Sequence, residues 1–236
     1  NFSRLYDFRP GYGYAGIPDS FAQDKQPEED GIFLVDLTDG TDRLLISYRQ
    51  LGQFLGGHAW IADAKLLINH ITFNTDGTRF VFLVRNFPME RPKARWQTAV
   101  LTAATDGSDI RCLLDFGMAS HYWWRDARRL VIFAGVGEPA VNGLYIIDDG
   151  TGDAELIDPT FFVQDGHCSH SPDGQRILYD SYPDGDGYRS LYLYDLSENK
   201  GVSLAELRSE PISRLFSVDL RCDLHPRWSR DGSAIS

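Results

Sequence analysis

The sequence predicts an all-β protein, a β-propeller built from four-stranded antiparallel blades. Its main support is a short strand-turn-strand phrase that recurs along the chain, with a histidine near its start and an aspartate at its turn. The turn aspartates are Asp76, Asp126, Asp173 and Asp231, separated by 50, 47 and 58 residues. A period of about 40 to 50 residues in a chain of short strands is typical of propeller blades.

The strands follow the same order in each repeat. An apolar strand comes after the turn, at 79–84, 129–134 and 175–179, and a third strand ends in Asp, at 31–36, 143–148 and 190–195. A turn and a weaker outer strand follow. The Asp-Gly turns are interpreted as structural, with positive φ expected at both residues. No segment shows sustained helical periodicity, and 203–207 could form a helical turn at most.

These repeats divide the chain into blades. Blade one covers roughly 20–55, blade two 68–118, blade three 119–162 and blade four 165–212, and blade five begins at 221. We expect a partial ring, about four to five blades of a whole of about seven. Residues 1–236 are therefore interpreted as a single propeller domain, a fragment of a longer chain. A β-sandwich would also use short strands and Asp-Gly turns, but the internal self-similarity favours the propeller.

Composition and motifs exclude several classes of function. The formal charge of −11 argues against general nucleic-acid binding, which needs an excess of Lys and Arg. No run of roughly 18 to 20 apolar residues is present, so we expect no membrane span. The expectation is a soluble protein, cytoplasmic or periplasmic, with the compartment open. Gly-x-Ser-x-Gly, Gly-x-Gly-x-x-Gly and Walker sequences are absent, which gives no support for serine hydrolysis or nucleotide binding.

Histidines hold matching positions in the repeats. His70, His121, His167 and His225 each stand at the start of an inner strand, so they should converge near one axis. His167 and His225 are candidate metal ligands, with Cys222 as the third. Imidazole with thiolate suits Zn²⁺, whereas imidazole with carboxylate or amide suits Mn²⁺. The alternative is that both histidines are core residues bonded to backbone.

A basic and aromatic group of residues is the candidate catalytic machinery. His121 could remove a proton, because histidine ionises close to neutral pH, and Tyr122 could donate one. His70 is the second candidate base. Arg91, Arg95 and Arg125 are candidates for binding a carboxylate. The alternatives are a solvated loop for Arg91 and Arg95, and core packing for Tyr122.

The motifs together resemble the oligogalacturonate-lyase type of polysaccharide lyase propeller, and more loosely the ulvan lyases. The residues that carry this resemblance are Asn69–Phe73, Ser120–Trp124, Asp165–His167, Asp180–Asp184 and Arg221–Trp228. Ser171–Gly174 and Trp228–Gly232 also resemble the repeats of TolB-type propellers.

The lyase resemblance implies β-elimination on uronic-acid oligosaccharides, with a divalent metal, Mn or Zn, near the axis. It places the catalytic histidine at His121 and metal ligands at His167 and His225. The chain departs from the family at two positions, with Cys222 where glutamine would stand and Arg227 where a third metal histidine would stand.

Three functions follow as hypotheses. The first is a lyase whose partner is an acidic oligosaccharide. The second is a non-catalytic, TolB-like propeller that binds a protein or glycan. The third is a hydrolase that uses a metal-bound water. His121 together with the pair His167 and His225 favours an enzyme, without deciding between elimination and hydrolysis.

Overall fold

The computed structural model describes residues 2–5, 16–57, 61, 64–88, 97–209 and 223–236. A short 3₁₀ helix, Phe2–Leu5, comes first. Strands β1 (Gly31–Val35) and β2 (Asp42–Ser47) pair in a two-stranded sheet, which is followed by the helix α1 (Tyr48–Phe54). Residues 2–5 and this first part of the chain precede three complete sheets.

Each complete sheet has four antiparallel strands in sequence order. The first contains β3 (Ala64–Phe73), β4 (Arg79–Pro88), β5 (Gln97–Ala104) and β6 (Arg111–Gly117). The second contains β7 (Ala119–Trp124), β8 (Arg129–Val136), β9 (Val141–Asp148) and β10 (Ala154–Ile157). The third contains β11 (Cys168–His170), β12 (Arg176–Asp180), β13 (Tyr188–Asp195) and β14 (Lys200–Arg208). An isolated bridge between Trp228 and Ile235 follows. Successive four-stranded meanders are propeller blades, and the predicted β-propeller fold is confirmed.

The apolar core lies between the blades. Along β4, Phe80, Phe82 and Val84 pack toward β1 and β2, whereas Val81 and Leu83 pack toward β8. The same alternation divides β8 between its two neighbouring blades. Since side chains alternate across a strand, a strand with both faces buried must be apolar throughout. This explains why the strand after each turn is apolar in the sequence.

The Asp-Gly turns are structural, as predicted, but their geometry differs from the prediction. Gly77 and Gly174 have positive φ of 72° and 70°, whereas Asp76 and Asp173 are outside that region. The aspartates instead accept backbone hydrogen bonds two residues on: Asp76 Oδ1 from the Thr78 amide at 3.1 Å, and Asp173 Oδ1 from the Gln175 amide at 3.0 Å. Only the glycine needs the left-handed conformation, and the carboxylate stabilises the turn from its side chain.

Two expectations about helices were wrong. The sequence analysis found no helix, but α1 forms over seven residues, too few for a periodic pattern. A capping box starts it, in which Ser47 Oγ accepts from the Gln50 amide and the Gln50 side chain accepts from the Ser47 amide. The segment 203–207 lies in the strand β14, paired to β13. In the part of the chain that the structure describes, no helix is long and apolar enough to cross a membrane.

Candidate functional site

The four repeat histidines converge, as the repeat predicted. The ring centroid of His121 lies 5.9 Å from that of His70 and 3.9 Å from that of His167. The ring of His225 lies 3.7 Å from that of His167. His121 lies near the start of β7, and His167 lies just before β11. His70 instead lies inside β3, which starts at Ala64, so its predicted place at the start of an inner strand is wrong although its ring joins the row.

Register shifts and positive φ angles in the backbone set the direction of these histidine side chains. The pairing of β3 with β4 shifts register between Asn69 and Thr72, and that of β7 with β8 shifts between Ala119 and Tyr122. Such bulges redirect a side chain out of the regular alternation. His70 and His225 have positive φ of 52° and 48°, which costs a residue with a Cβ about 1 to 3 kcal/mol. The fold thus holds these histidines against their local preference.

The histidines open onto a cavity of about 170 Å³, the histidine cavity. Its other lining residues are Thr72, Tyr122, Trp123, Cys168, Pro226 and Arg227. The guanidinium of Arg227 lies over the ring of Trp123, 5.0 Å from its centroid. The cavity therefore combines imidazole groups with one cation held in place by an aromatic ring.

Asp180 forms hydrogen bonds with two of the histidine residues, His167 and His225. It ends β12 with 1% of its surface exposed, and its carboxylate lies 2.9 Å from His167 Nδ1. The same carboxylate accepts from the backbone amides of His167 at 2.6 Å and His225 at 3.2 Å. With Nδ1–H donating to Asp180, the lone pair of His167 lies on Nε2. This is the arrangement by which a carboxylate orients a metal-binding imidazole.

A candidate metal site lies beside Asp180. Donor atoms of His167, Asp223 and His225 all lie within 4.8 Å of one another. Donors around one ion at about 2.1 Å lie up to about 4 Å apart, so small rotamer changes bring this set to ligand distances. Desolvation and the neighbouring His167 imidazole lower the pKa of His225 and favour its neutral, ligating form. Two imidazoles and a carboxylate fit Mn²⁺ or Zn²⁺.

Asp223 is also paired with a buried cation. Arg189 Nη1 lies 2.9 Å from Asp223 Oδ1, and Arg189 is 2% exposed. Asp223 was missed as a ligand by the sequence analysis, which selected its neighbour Cys222.

The cysteines do not contribute described donors to this site. Cys222 lies outside the described residues, so its predicted role stays a prediction. Cys168 points into the core, with Sγ 3.8 Å from the His121 carbonyl. Burial raises the pKa of its thiol and keeps it protonated.

His121 is placed to exchange a proton. Its Nδ1 lies 3.0 Å from Ser120 Oγ and 3.4 Å from Asp165 Oδ1. Its Nε2 lies 3.5 Å from the hydroxyl of Tyr182. One nitrogen is therefore oriented by the protein, and the other faces a second proton carrier.

The two tyrosines near His121 differ in their partners. The Tyr122 hydroxyl donates to the His70 carbonyl and lies 3.3 Å from Thr72 Oγ1. Burial raises the pKa of Tyr122. The Tyr182 ring lies 6.0 Å from the rings of both His121 and His167. Sequence reasoning did not select Tyr182, although it lies in the motif 180–184 that carried the lyase resemblance.

Of the three arginines predicted to bind substrate, the structure describes one, Arg125. Arg91 and Arg95 lie outside the described residues. Arg125 lines a second cavity, next to the histidine cavity and sharing Trp123 and Arg227 with it. Among the described residues, Arg227 is the arginine on the histidine cavity itself.

Comparison with known proteins shows similarity of fold. No protein-family model matches the chain. No curated protein matches it either. An oligogalacturonate lyase in complex with manganese superposes with a TM-score of 0.54 at 14% identity, covering 91% of this chain and 55% of the lyase. The oligogalacturonate lyase of Vibrio parahaemolyticus gives 0.51 at 14% identity, with 85% and 50% covered. TolB from Acinetobacter baumannii gives 0.38 at 19% identity, with 73% and 42% covered.

The coverage and the identity limit what the two lyases show about this chain. The chain spans about half the length of the two lyases. At 14% identity the match concerns the propeller architecture.

Proposed function

We propose that this chain carries the histidine site of a lyase that cleaves uronic-acid oligosaccharides by β-elimination. The observation that carries the proposal is the placement of His121 between an orienting side, Ser120 and Asp165, and a hydroxyl donor, Tyr182. The candidate metal site is adjacent, because His167, one of its three residues, has its ring centroid 3.9 Å from that of His121. The manganese complex of the first lyase above supports the same assignment.

His121 serves as the base in this proposal. Its Nε2 takes the C5 proton of the uronate, and the electron pair left behind is delocalised onto the neighbouring carboxylate as an enolate. Ser120 and Asp165 hold Nδ1 and stabilise the imidazolium that forms. Collapse of the enolate forms the C4–C5 double bond and breaks the bond from C4 to the glycosidic oxygen.

Tyr182 serves as the proton donor to the departing oxygen. Its hydroxyl is 3.5 Å from His121 Nε2, so base and acid act at adjacent carbons of one sugar. Tyr122, the acid that the sequence predicted, has its hydroxyl directed to the His70 carbonyl. We therefore assign the acid role to Tyr182 and a positioning role to Tyr122.

Positive charge at the substrate carboxylate completes the mechanism. A divalent cation held by His167, Asp223 and His225 would supply that charge and lower the barrier to enolate formation. Arg227, fixed over Trp123, adds a guanidinium on the same cavity. Asp180 keeps His167 oriented throughout.

A panel of uronate polymers tests the proposal. Elimination leaves an unsaturated uronide at the new non-reducing end, which absorbs in the near ultraviolet, whereas hydrolysis produces no such chromophore. We expect absorbance to rise with at least one acidic polymer and to stay flat with a neutral polymer of the same linkage. Cleavage without the chromophore would instead favour the metal-water hydrolase, and binding without cleavage the non-catalytic propeller.

A further inference from the structure

A second cavity, of about 280 Å³, lies at the other end of the inner strands, and we term it the arginine cavity. Three histidines of the row, His121, His167 and His225, are each followed three residues later by a residue that lines this cavity. Trp124 ends β7 and His170 ends β11, and Trp228 forms the isolated bridge. All three residues line the arginine cavity.

These equivalent positions carry different hydrogen bonds. Trp124 Nε1 donates to the Thr72 carbonyl at 3.1 Å, and Trp228 Nε1 donates to the Ser169 carbonyl at 3.4 Å. Each indole thus ties its blade to the preceding one. Blade four has His170 at this position instead of a tryptophan.

His170 makes no such bond. It is 6% exposed, and its imidazole has a weak contact with the backbone of Arg176 in its own blade rather than a well-formed hydrogen bond. The hydroxyl of its neighbour Ser169, which is 2% exposed, lacks a partner among the described residues. Buried polar groups in native proteins are almost always paired, so the Ser169 hydroxyl and the weakly held His170 imidazole are groups with which a ligand in this cavity can pair.

The cavity also carries uncompensated positive charge. Arg125, Arg227 and Arg230 line it, and none of them forms an ion pair with a carboxylate of the described residues. The nearby carboxylate of Asp126 is paired with Arg129 at 2.6 Å.

We infer that the arginine cavity is a second binding site, which takes an anionic saccharide. A carboxylate or sulfate group of the sugar would face the guanidinium groups, which match such anions through paired N–H donors. Its hydroxyls would pair with Ser169 and His170, and its ring would pack against the half-buried indoles of Trp123 and Trp228. This site goes beyond the proposed elimination, because none of its chemistry requires a base or a metal.

Tryptophan fluorescence titration of the full chain tests the inference, since three indoles line the cavity. The probes are galacturonate, glucose 6-sulfate, neutral galactose and inorganic sulfate. We expect at least one of the two acidic sugars to bind and galactose to leave the signal unchanged. Equal binding of galactose, or inorganic sulfate binding as tightly as the acidic sugars, would overturn the assignment.

Variants locate the binding site. Arg230→Ala and His170→Gln should each raise the Kd of the acidic sugar about tenfold or more, because each removes a hydrogen bond from a charged or buried group. Arg176→Ala is the control, since Arg176 is an exposed arginine on the blade of His170, does not line the cavity, and pairs with Asp195. Identical Kd values for Arg230→Ala and Arg176→Ala would refute the site.

The outcome is separable from that of the proposed function. Loss of Arg230-dependent binding alongside normal elimination would count against the second site alone. Absence of elimination with Arg230-dependent binding intact would count against the lyase alone.

Discussion

At the scale of single residues, the role of His121 depends on its two nitrogens facing different partners. Removing the ring should leave the blade core intact, because the His121 side chain lines a cavity and the core lies between sheets. We expect His121→Ala to lower the turnover of uronate elimination by roughly 10² to 10⁴, the usual contribution of positioned proton transfer. Steady-state kinetics checks this, with the thermal midpoint and metal content as controls. Near-normal turnover would transfer the base role to His70.

Asp180 gives a second prediction at this scale. Asp180→Asn keeps the size of the side chain but weakens its hold on the His167 imidazole. We expect metal affinity to fall by roughly 10- to 100-fold, as is usual when a carboxylate behind a histidine ligand is removed. Titration with Mn²⁺ and Zn²⁺ measures it. Asp173→Asn, a change at an exposed turn of the same blade, should leave the affinity unaltered, and an equal loss in both variants would refute the assignment.

His170 gives a pH-dependent prediction. Burial lowers its pKa from 6.5 to about 4. The unfolded chain therefore binds the extra proton first, and stability from this residue is present above pH 6.5 and lost progressively toward pH 4. Between pH 7 and 5 the loss is roughly 2 kcal/mol. Urea unfolding at the two pH values should show a larger decrease for the native protein than for His170→Gln, and parallel decreases would contradict the burial argument.

At the scale of elements, the strands could be predicted because each obeys one clear rule. The second strand of each blade is buried on both faces, as β4 shows, and reads as an unbroken apolar run. Helix α1 could not be predicted by periodicity. Its only sequence signal is the pair Ser47 and Gln50 of the capping box.

That capping box can be tested. Ser47→Ala removes the acceptor for the Gln50 amide at the start of α1. We expect the free energy of unfolding to fall by about 1 kcal/mol. Urea denaturation measures it, with Ser203→Ala on the exposed strand β14 as the control. A change of similar size in both variants would mean that the cap contributes nothing specific.

Site residues at element ends were harder to predict than the histidine row. The row follows from the repeat itself. Asp180, Asp223 and Tyr182 become site residues only because β12 and the segment before Trp228 end at the axis, beside His167. Sequence adjacency favoured Cys222 and Tyr122, whereas the fold brings Asp223 and Tyr182 to the histidines.

At the scale of the whole molecule, the inner strands connect two cavities of different chemistry. One end presents imidazoles with a candidate metal set, and the other presents guanidinium groups and indoles. Trp123 and Arg227 line both. An acidic ligand thus meets positive charge along the axis of a chain whose formal charge is −11. We propose that this axis performs elimination at a uronate.

Cleavage in ¹⁸O-labelled water distinguishes elimination from hydrolysis. Elimination transfers a proton and breaks a C–O bond without adding water, so neither product gains the label. Hydrolysis places one labelled oxygen in a product. We predict that the native protein releases unlabelled products from a uronate oligosaccharide, one of them unsaturated, and that mass spectrometry of the reaction with His121→Ala shows far less of both. Incorporation of ¹⁸O into the freshly formed products would contradict the account.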